Sequence, residues 1–297
     1  MAHKNLVDGT AYDTKGGRCL VDGTGYDIKK GRTLINGTGY DIVFSSVSPI
    51  LDEVDWTTIR EVSDAGQGSN YWSIGDRKAV TLNGTIGKLS LSNVTTYAFI
   101  IGFNHNSSVE GSGRIHFQLG KTALSGGTDV ALCDSKYGNT GSDAVFRMNT
   151  KNINSGGWNN SYMRNTICQE FKNVLPAALK NAIKSVTKYT DNTGNSSAAS
   201  AVTATTDEIF LLAEYEVFGT ISRGNSNESN KQKQYDYYSA GNSKIKYNHS
   251  ATSTAVRWWL RSPSASSSYN FVYVHNDGTV NHGYALYSRG FAPGFCV

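Results

Sequence analysis

The sequence predicts an α+β fold, in which a mostly antiparallel sheet packs against two helices. Apolar runs alternate with Gly and Asn turns between residues 71 and 132, a pattern typical of antiparallel strands. The apolar period becomes helical between Ser161 and Val186. Two successive helices against a sheet define the α+β class, and a chain of 297 residues is long enough to bury a substantial core around them.

Short repeats precede this sheet. The octamers LVDGTAYD, LVDGTGYD and LINGTGYD start at Leu6, Leu20 and Leu34, a spacing of 14 residues. Their Asp-Gly and Asn-Gly steps accept the positive φ angles of tight turns, so each unit predicts a small β-hairpin or β-arc. One unit cannot bury its own apolar face, whereas stacked units can. We therefore expect residues 1–48 to be an attachment or oligomerisation segment and residues 49–297 to be the main domain; a flexible linker with accidental repetition is the alternative.

The main domain is predicted to begin with a helix. The stretch DEVDWTTIREV, residues 52–62, places Trp56, Ile59 and Val62 on one face. The runs AVTLNGTIGKLSL, TYAFIIGFNH and RIHFQLG follow. They predict strands of a mostly antiparallel sheet.

Two further helices are predicted between Ser161 and Val186. The first carries an apolar stripe at near i, i+4 spacing, formed by Met163, Ile167, Phe171 and Val174. Pro176 interrupts this stripe and suits the first turn of a second helix. The apolar residues of that second helix are Leu179, Ile183 and Val186.

Two polar tracts, residues 189–206 and 222–253, are predicted to be exposed loops. Between them, EIFLLAEYEVFG predicts a buried strand that continues into a short helix ending at Gly219. Glu214 and Glu216 lie in that helix. We expect carboxylates at this spacing to be solvated.

Charge and cysteine content limit the function classes. The 28 Lys and Arg residues, against 24 Asp and Glu, give a net charge of +4, but they are scattered, which argues against nucleic acid as a partner. The four cysteines, Cys19, Cys133, Cys168 and Cys296, form no C-x-x-C pair, so neither a zinc site nor a disulfide framework is predicted. No signal-peptide pattern and no run of roughly 18 apolar residues is present, so we expect no membrane insertion.

The segment 264–288 has the composition of a recognition surface. It contains four Tyr, three Asn, two His and five Ser, and no Lys, Glu, Gln, Met or Trp. Tyr offers a large rigid contact area at low entropic cost, while Ser and Asn adapt their hydrogen bonding. Random change at the first two bases of an Asn codon yields Asn, Tyr, His and Ser but none of the five missing residues.

The alternation in YNFVYVHNDGTV predicts which side chains of this segment face solvent. Val272 and Val274 share one face of a strand, and Phe271, Tyr273 and His275 share the other. We expect the valines to face the core and the ring-bearing side chains to point outward. The candidate ligand-binding residues are Ser268, Tyr269, Asn270, Phe271, Tyr273, His275, Asn276, Asn281, His282, Tyr284 and Tyr287.

Other chemistry-bearing residues have structural interpretations. Trp258 and Trp259 are expected in the core beside Leu260. Three arginines, which offer five donors in a fixed fork, are expected to hydrogen-bond carbonyl groups rather than an anionic ligand: Arg257, Arg261 and Arg289. His275 and His282 have no carboxylate or cysteine in a matching pattern, so no metal site is predicted. No catalytic set and no cofactor motif is found.

Several strings together resemble a domain family of Gram-positive bacteria and their phages, which is similar to the C-type lectin fold. The strings are Trp56 with Ile59, IIGFNH at 100–105, GGW at 156–158 followed by SYMR, LP at 175–176, IFLLAEYEVFG at 209–219, WWLRSP at 258–263 and RGFAPGFCV at 289–297. The likeness covers residues 49–297. Several members of this group resemble the variable proteins of diversity-generating retroelements, in which a reverse transcriptase rewrites adenine positions in a short C-terminal gene segment.

The resemblance implies a binding protein rather than an enzyme. We expect a C-type-lectin-like domain on a phage tail or virion, made in the host cytoplasm, that binds a host cell-surface protein or glycan. The repeats resemble segments of phage tail proteins, which implies other virion tail proteins as partners and a homo-oligomer, with a trimer expected from tail fibres. Two alternatives stay open: a bacterial cell-surface adhesin of the same fold, and an enzyme on a scaffold like that of the formylglycine-generating oxidases, whose chemistry needs two neighbouring reactive cysteines.

Overall fold

The computed structural model divides into two compact units, Met1–Ser48 and Pro49–Val297. The structure describes residues 47–297 and, in the first unit, the backbone of strands between Lys4 and Val43. These strands form three antiparallel pairs: β1 (Lys4–Val7) with β2 (Thr10–Asp13), β3 (Gly17–Val21) with β4 (Thr24–Ile28), and β5 (Lys30–Ile35) with β6 (Thr38–Val43). The pairing agrees with one hairpin per repeat. The predicted turns at 8–9, 22–23 and 36–37 lie outside the described residues.

The second unit has an α+β fold with mostly antiparallel strands, as predicted. Its strands are β7 (Arg77–Ile86), β8 (Leu89–Phe103), β9 (Ile115–Lys121), β10 (Val130–Ala131), β11 (Val186–Asp191), β12 (Val202–Asp207), β13 (Ile209–Phe210), β14 (Lys246–Asn248), β15 (Ala251–Val256), β16 (Trp258–Pro263), β17 (Asn270–Val274), β18 (Val280–Tyr284) and β19 (Gly294–Cys296). Its α-helices are α1 (Trp56–Asp64), α2 (Gly68–Tyr71), α3 (Ser107–Glu110), α4 (Cys168–Val174), α5 (Ala177–Ala182), α6 (Glu214–Phe218) and α7 (Asp236–Ser239). Shorter helical turns span Leu51–Glu53, Met163–Ile167, Ala199–Ala201 and Ser226–Asn230.

A five-stranded antiparallel sheet forms the centre of this unit, in the order β13-β19-β9-β8-β7. In β7, buried Val80 and Leu82 alternate with exposed residues, as expected for a strand with one solvent face. Every residue of β9 is buried, because this strand lies in the middle of the sheet. The strands predicted between residues 79 and 120 are confirmed as β7, β8 and β9, although the run AVTLNGTIGKLSL covers most of β7, a turn and the start of β8.

Helix α1 covers one face of this sheet. The Asp55 side chain caps it by accepting a hydrogen bond from the Thr58 backbone N–H at 2.9 Å. The three residues predicted to face inward, Trp56, Ile59 and Val62, are buried. The Trp56 ring meets the ring of Phe117, in β9, edge-on at 5.5 Å.

The predicted helical stripe of residues 163–174 is also buried. It starts with the π-helical turn Met163–Ile167 and continues as α4. Pro176 directly precedes α5, but this second helix ends at Ala182. The prediction that Val186 belongs to it was wrong, because Val186 is the first residue of β11.

The polar tract 189–206 was predicted to be an exposed loop, which holds for its middle, residues 192–200, but not for its ends. Its ends belong to β11 and β12, which pair antiparallel from Val186 with Asp207 to Asp191 with Val202. Lys188, Thr190 and Asp191 are buried there. Their polarity does not indicate exposure, because each has hydrogen-bond or ion-pair partners inside the protein. The second tract, 222–253, likewise contains α7 and β14.

No helix among the residues that the structure describes is long and apolar enough to cross a membrane.

Candidate functional site

The candidate site lies on the hairpin of β17 and β18, in a sheet ordered β16-β17-β18. The register pairs Asn270 with Tyr284 at the open end of the hairpin. At the turn, the His275 N–H donates to the Thr279 carbonyl at 2.7 Å. Gly278 adopts a φ of +86° there, which a side chain would disfavour.

Asp277 fixes the same turn. Its carboxylate accepts hydrogen bonds from the Thr279 backbone N–H at 2.9 Å and hydroxyl at 2.6 Å. These bonds, with His275 nearby, lower the pKa of Asp277 to about 2. Asp277 is therefore a turn-forming residue rather than part of the exposed contact surface.

Asn154 holds the loop that leads into β17. Its side-chain nitrogen lies within hydrogen-bond distance of the carbonyls of Ser264, Ser267 and Asn270, at 3.3, 2.8 and 2.9 Å. Its backbone N–H donates to the Ser268 carbonyl at 2.8 Å. Asn154 is 1% exposed, so a buried amide fixes the backbone beneath an exposed surface. Sequence reasoning missed this residue, and no local pattern distinguishes it.

Most of the predicted ligand-binding residues lie at the surface of this hairpin and loop. Tyr269 and Tyr284 are 53% and 51% exposed, and both are among the most exposed large apolar side chains of the described chain. Ser268 and Asn276 are also exposed. The half-buried members of the predicted set are Asn270, His275, Asn281, His282 and Tyr287.

The predicted orientation of β17 was wrong for two residues. Phe271 is fully buried and Tyr273 is 5% exposed, although Val272 and Val274 are buried as expected. An outward face requires a strand with one solvent side. β17 is the middle strand of its sheet, and both of its faces are covered; the Tyr273 ring meets Trp259 edge-on at 5.9 Å. Neither residue is placed to make a large contact with a ligand.

A groove of about 480 Å³ opens beside the hairpin. Its lining residues, which define what we call the hairpin groove, are Gly138, Arg257, Asn270, Asn281, His282, Gly283, Tyr284, Tyr287 and Arg289. The rings of Tyr284 and Tyr287 stack with centroids 6.3 Å apart and planes at 29°. The volume lies in the range of small-ligand sites.

His282, which lines the groove, is held in place by a serine of the loop before β17. The His282 Nδ1 lies 2.8 Å from the Ser264 hydroxyl. Burial and the nearby Arg223 lower the pKa of His282 below its usual value of 6.5, so the imidazole is neutral at pH 7. A neutral ring presents both a donor and an acceptor to the groove and the loop.

A group of buried charged side chains lies in the interior, where the sequence predicted no ion pair. Arg261 makes a two-point ion pair with Glu216, at 2.5 and 2.8 Å. Lys188 contacts Glu110 at 2.7 Å, Glu216 at 3.2 Å and the Tyr235 hydroxyl at 2.8 Å. Burial alone would raise the pKa of Glu216, but the two cations hold it well below its usual value. The sequence feature that could have indicated a buried ion pair is Arg261 itself, because it lies inside the apolar run WWLRSP.

Glu214 and Glu216 are therefore not solvated, contrary to prediction, since both are fully buried. Glu214 accepts hydrogen bonds from the backbone N–H groups of Ser222, Arg223 and Gly224, at 2.6, 3.1 and 2.6 Å. These donors replace water around the carboxylate. The two glutamates organise the interior next to the hairpin sheet.

The interior cluster also contains a possible ligand set for a metal ion. His105, Glu110 and Glu216 each place one ligand atom within 4.8 Å of the others. A divalent cation there would meet Lys188 and Arg261, which already pair with the glutamates. Burial and Lys188 lower the pKa of His105 to about 3, so this ring is neutral. Two carboxyl groups face two cationic side chains, and burial raises the pKa of Glu110 to about 7. This is the arrangement of a structural ion-pair network.

The described cysteines Cys133, Cys168 and Cys296 are buried and free. Burial raises the pKa of Cys133 to about 12 and raises those of Cys168 and Cys296 well above the usual value. The reactive thiolate is therefore scarcely populated at neutral pH. Cys296 lies 3.2 Å from His116 Nδ1, yet that histidine has its pKa lowered by burial and does not offer a positive charge.

The fold and the groove together define an α+β domain with an open, polar and aromatic surface site. The chain belongs to the family described as "Domain of unknown function (DUF6273)", whose model matches residues 132–297. The matched region includes every residue of the hairpin groove. No curated protein and no solved structure matches the chain.

Proposed function

We propose that residues 49–297 form a C-type-lectin-like domain that binds a ligand on a host cell surface, displayed on a phage tail or virion. The observation that carries the proposal is a combination of two features. Tyr269 and Tyr284 are exposed, and the buried Asn154 side chain fixes the backbone of the loop before β17. Rigid aromatic side chains on a fixed backbone lose little entropy on binding. This is the property expected of a recognition surface.

The C-type-lectin-like assignment is part of the proposal. It is supported by an antiparallel central sheet with helices α1 and α4 against it, and by long loops such as residues 132–160. It is also supported by the strings WWLRSP and RGFAPGFCV, which form β16 and the segment that contains β19.

The proposed mechanism is complementarity without bond chemistry. Tyr269, Tyr284 and Tyr287 supply the aromatic contact, while Asn270, Asn281 and neighbouring residues adapt as donors and acceptors. Display of several copies through the N-terminal repeats would multiply a weak single-site affinity. The repeats are thus proposed to attach the chain to other virion tail proteins or to a homo-oligomer.

Diversification by a retroelement is a separate part of the proposal. If it operates, a template copy of the gene segment for residues 264–288 should carry adenines at the codons of exposed positions such as Tyr269, Tyr284 and Asn276. It should carry none at the codons of buried Val272 and Val274, where change would damage packing. Sequencing the locus tests this. A locus without a template and a reverse transcriptase would remove the diversification claim.

Binding to surface fractions of candidate host cells tests the function. We compare the full chain with the triple variant Tyr269→Ala, Tyr284→Ala and Tyr287→Ala, and expect the folded variant to bind at least about tenfold more weakly. Tyr71→Ala is the matched control, because Tyr71 is 38% exposed and lies in α2, outside the groove. Equal binding of the triple variant and the chain would refute the proposed face.

A further inference from the structure

The hairpin groove contains an arginine that has no acidic partner. Arg289 is 7% exposed, and its Nε has no hydrogen-bond partner among the described residues. No Asp or Glu among the described residues forms an ion pair with Arg289, and the neighbouring titratable side chains that act most on its pKa are Arg257 and three tyrosines, which are neutral at pH 7. Arg261, which is 0% exposed, forms an ion pair with Glu216. Burying a guanidinium without a counter-charge is costly. The difference between Arg289 and Arg261 therefore indicates that a bound anion would supply the missing counter-charge of Arg289.

Two aromatic rings hold this arginine in place. The Arg289 Cζ lies 3.9 Å from the ring centroid of Tyr273 and 4.8 Å from that of Trp259. A guanidinium carries its N–H donors in its own plane. The two rings lie at 85° to each other, so they contact the guanidinium from two directions. These cation–π contacts offset part of its desolvation cost, and the guanidinium still lines the groove.

Gly283 makes the room for the guanidinium. A Cβ at this position would lie 2.5 Å from the Arg289 Nη2 and 3.0 Å from the Tyr273 Cε1. Both distances are shorter than a van der Waals contact. The absence of a side chain in β18 thus lets Arg289 lie against the strand, directly beside the groove.

A second cation stands at the edge of the same groove. Arg257 is exposed, and its Cζ lies 6.0 Å from the Tyr273 ring centroid. No Asp or Glu occurs among the groove-lining residues. The groove therefore carries two positive charges and no negative one. Burial, with a smaller contribution from Arg257, lowers the pKa of Arg289 only to about 10, so Arg289 is charged at pH 7.

The remaining lining groups are uncharged and suit a hydroxylated ring. Asn270 and Asn281 provide amide donors and acceptors, and Tyr284 and Tyr287 provide a stacked aromatic edge. We infer that the hairpin groove binds an acidic saccharide, with the carboxylate or phosphate of the sugar on Arg289 and Arg257 and its ring against the tyrosines. This inference rests on the proposed binding function and adds to it the chemistry of the ligand.

The test uses defined sugars rather than host material. The isotope-labelled full chain is titrated with glucuronate, glucose 6-phosphate, neutral glucose and a short Glu-rich peptide, and amide signals of residues 281–289 are followed by NMR. We expect at least one of the two acidic sugars to bind, and glucose to bind at least about tenfold more weakly than that sugar. Arg257→Gln should lower the affinity for the acidic sugar about tenfold. The sugar that binds more tightly identifies carboxylate or phosphate as the anion.

Arg289→Gln and Gly283→Ala test the role of the buried guanidinium, and Lys151→Gln is the control. Arg289→Gln should abolish binding; if it does not fold, Gly283→Ala displaces the guanidinium and should also weaken binding. Lys151→Gln removes one exposed positive charge outside the groove and should leave binding unchanged. Equal binding of glucose and the acidic sugars, insensitivity to Arg257→Gln, or binding of the peptide alone would overturn the inference.

The outcome is separable from that of the proposed function. Arginine-dependent binding of an acidic sugar supports the inference even if no host fraction binds. Tyrosine-dependent binding to host fractions that is unaffected by Arg257→Gln and by excess acidic sugar supports the function and overturns the inference.

Discussion

Glu216 and Arg261 tie helix α6 to strand β16, with neither side chain exposed. The Arg261 guanidinium also donates to the Leu211 carbonyl and the Thr190 hydroxyl. Strand β16 is the neighbour of β17. The ion pair therefore anchors the sheet that carries the hairpin groove to the interior of the domain.

Removing the charge of Glu216 should destabilise the whole domain. Glu216→Gln leaves Arg261 buried without its counter-charge, and we expect the free energy of unfolding to fall by about 3–5 kcal/mol. Denaturant unfolding measures this. The control is Glu208→Gln, which breaks the partly exposed pair with Lys172 and should cost less than about 1 kcal/mol. Similar losses for the two variants would contradict the assigned importance of the interior pair.

Glu228 should give the domain a defined pH dependence. Burial raises its pKa from 4.5 to about 7, so the folded state binds this proton more tightly than the unfolded state. The stability contributed by Glu228 is fully present below pH 4.5 and is lost as the pH rises to about 7. Glu228→Gln removes the titration, so the stability of the variant relative to the parent should rise by about 2–4 kcal/mol across this range. A difference that is flat from pH 4.5 to 8 would show that the carboxyl is not perturbed.

The loop before β17 should loosen when Asn154 is replaced. Asn154→Ala removes the side-chain donor to the Ser267 carbonyl, and we expect faster amide hydrogen exchange in residues 264–270 and about 1–3 kcal/mol lower stability. Asn192→Ala is the matched control, because Asn192 bonds the Thr203 carbonyl in another hairpin. Unchanged exchange in residues 264–270 would disprove the role of Asn154.

The two tyrosines of the hairpin should differ sharply in their effect on stability. Tyr273→Ala removes a buried ring that packs on Trp259 and Arg289, and should cost about 3–5 kcal/mol. Tyr284→Ala should change stability by less than about 0.5 kcal/mol, because half of that side chain is exposed. Thermal or denaturant unfolding decides between this arrangement and the orientation predicted from sequence, in which both tyrosines point to solvent and both substitutions would change stability little.

The buried thiols should resist alkylation. Cys133, Cys168 and Cys296 are buried with raised pKa values, so iodoacetamide at pH 8 should modify them only after unfolding. Peptide mapping by mass spectrometry gives the extent at each site. Rapid modification of Cys296 in the folded chain would instead indicate a reactive thiol.

Elements with a strong apolar period were predictable from the sequence. Helix α1 and the stripe of residues 163–174 bury the residues that the period selects, because one face of each meets the core. The exposed tyrosines were predictable from composition, since Tyr269 and Tyr284 lie in a segment rich in Tyr, Ser and Asn.

The parts that failed depend on contacts between distant residues. The sequence around Lys188 does not predict that this side chain is buried. Its burial is possible because it forms ion pairs with Glu110 and Glu216. Tyr273 alternates correctly along β17 but is covered by Arg289 and Trp259. Sequence periodicity describes one strand or helix at a time, whereas these environments are set by contacts between different strands and helices.

Strand β19 depends on a neighbouring strand that lies outside the family match. The strand lies between β13 and β9, but the family match starts at residue 132, after β9. A recombinant fragment cut at that point would leave one edge of β19 with unpaired backbone groups and would uncover Phe295, which otherwise stacks on Phe117. Such an edge invites intermolecular strand pairing, so an expression fragment that starts at Pro49 is the sound choice.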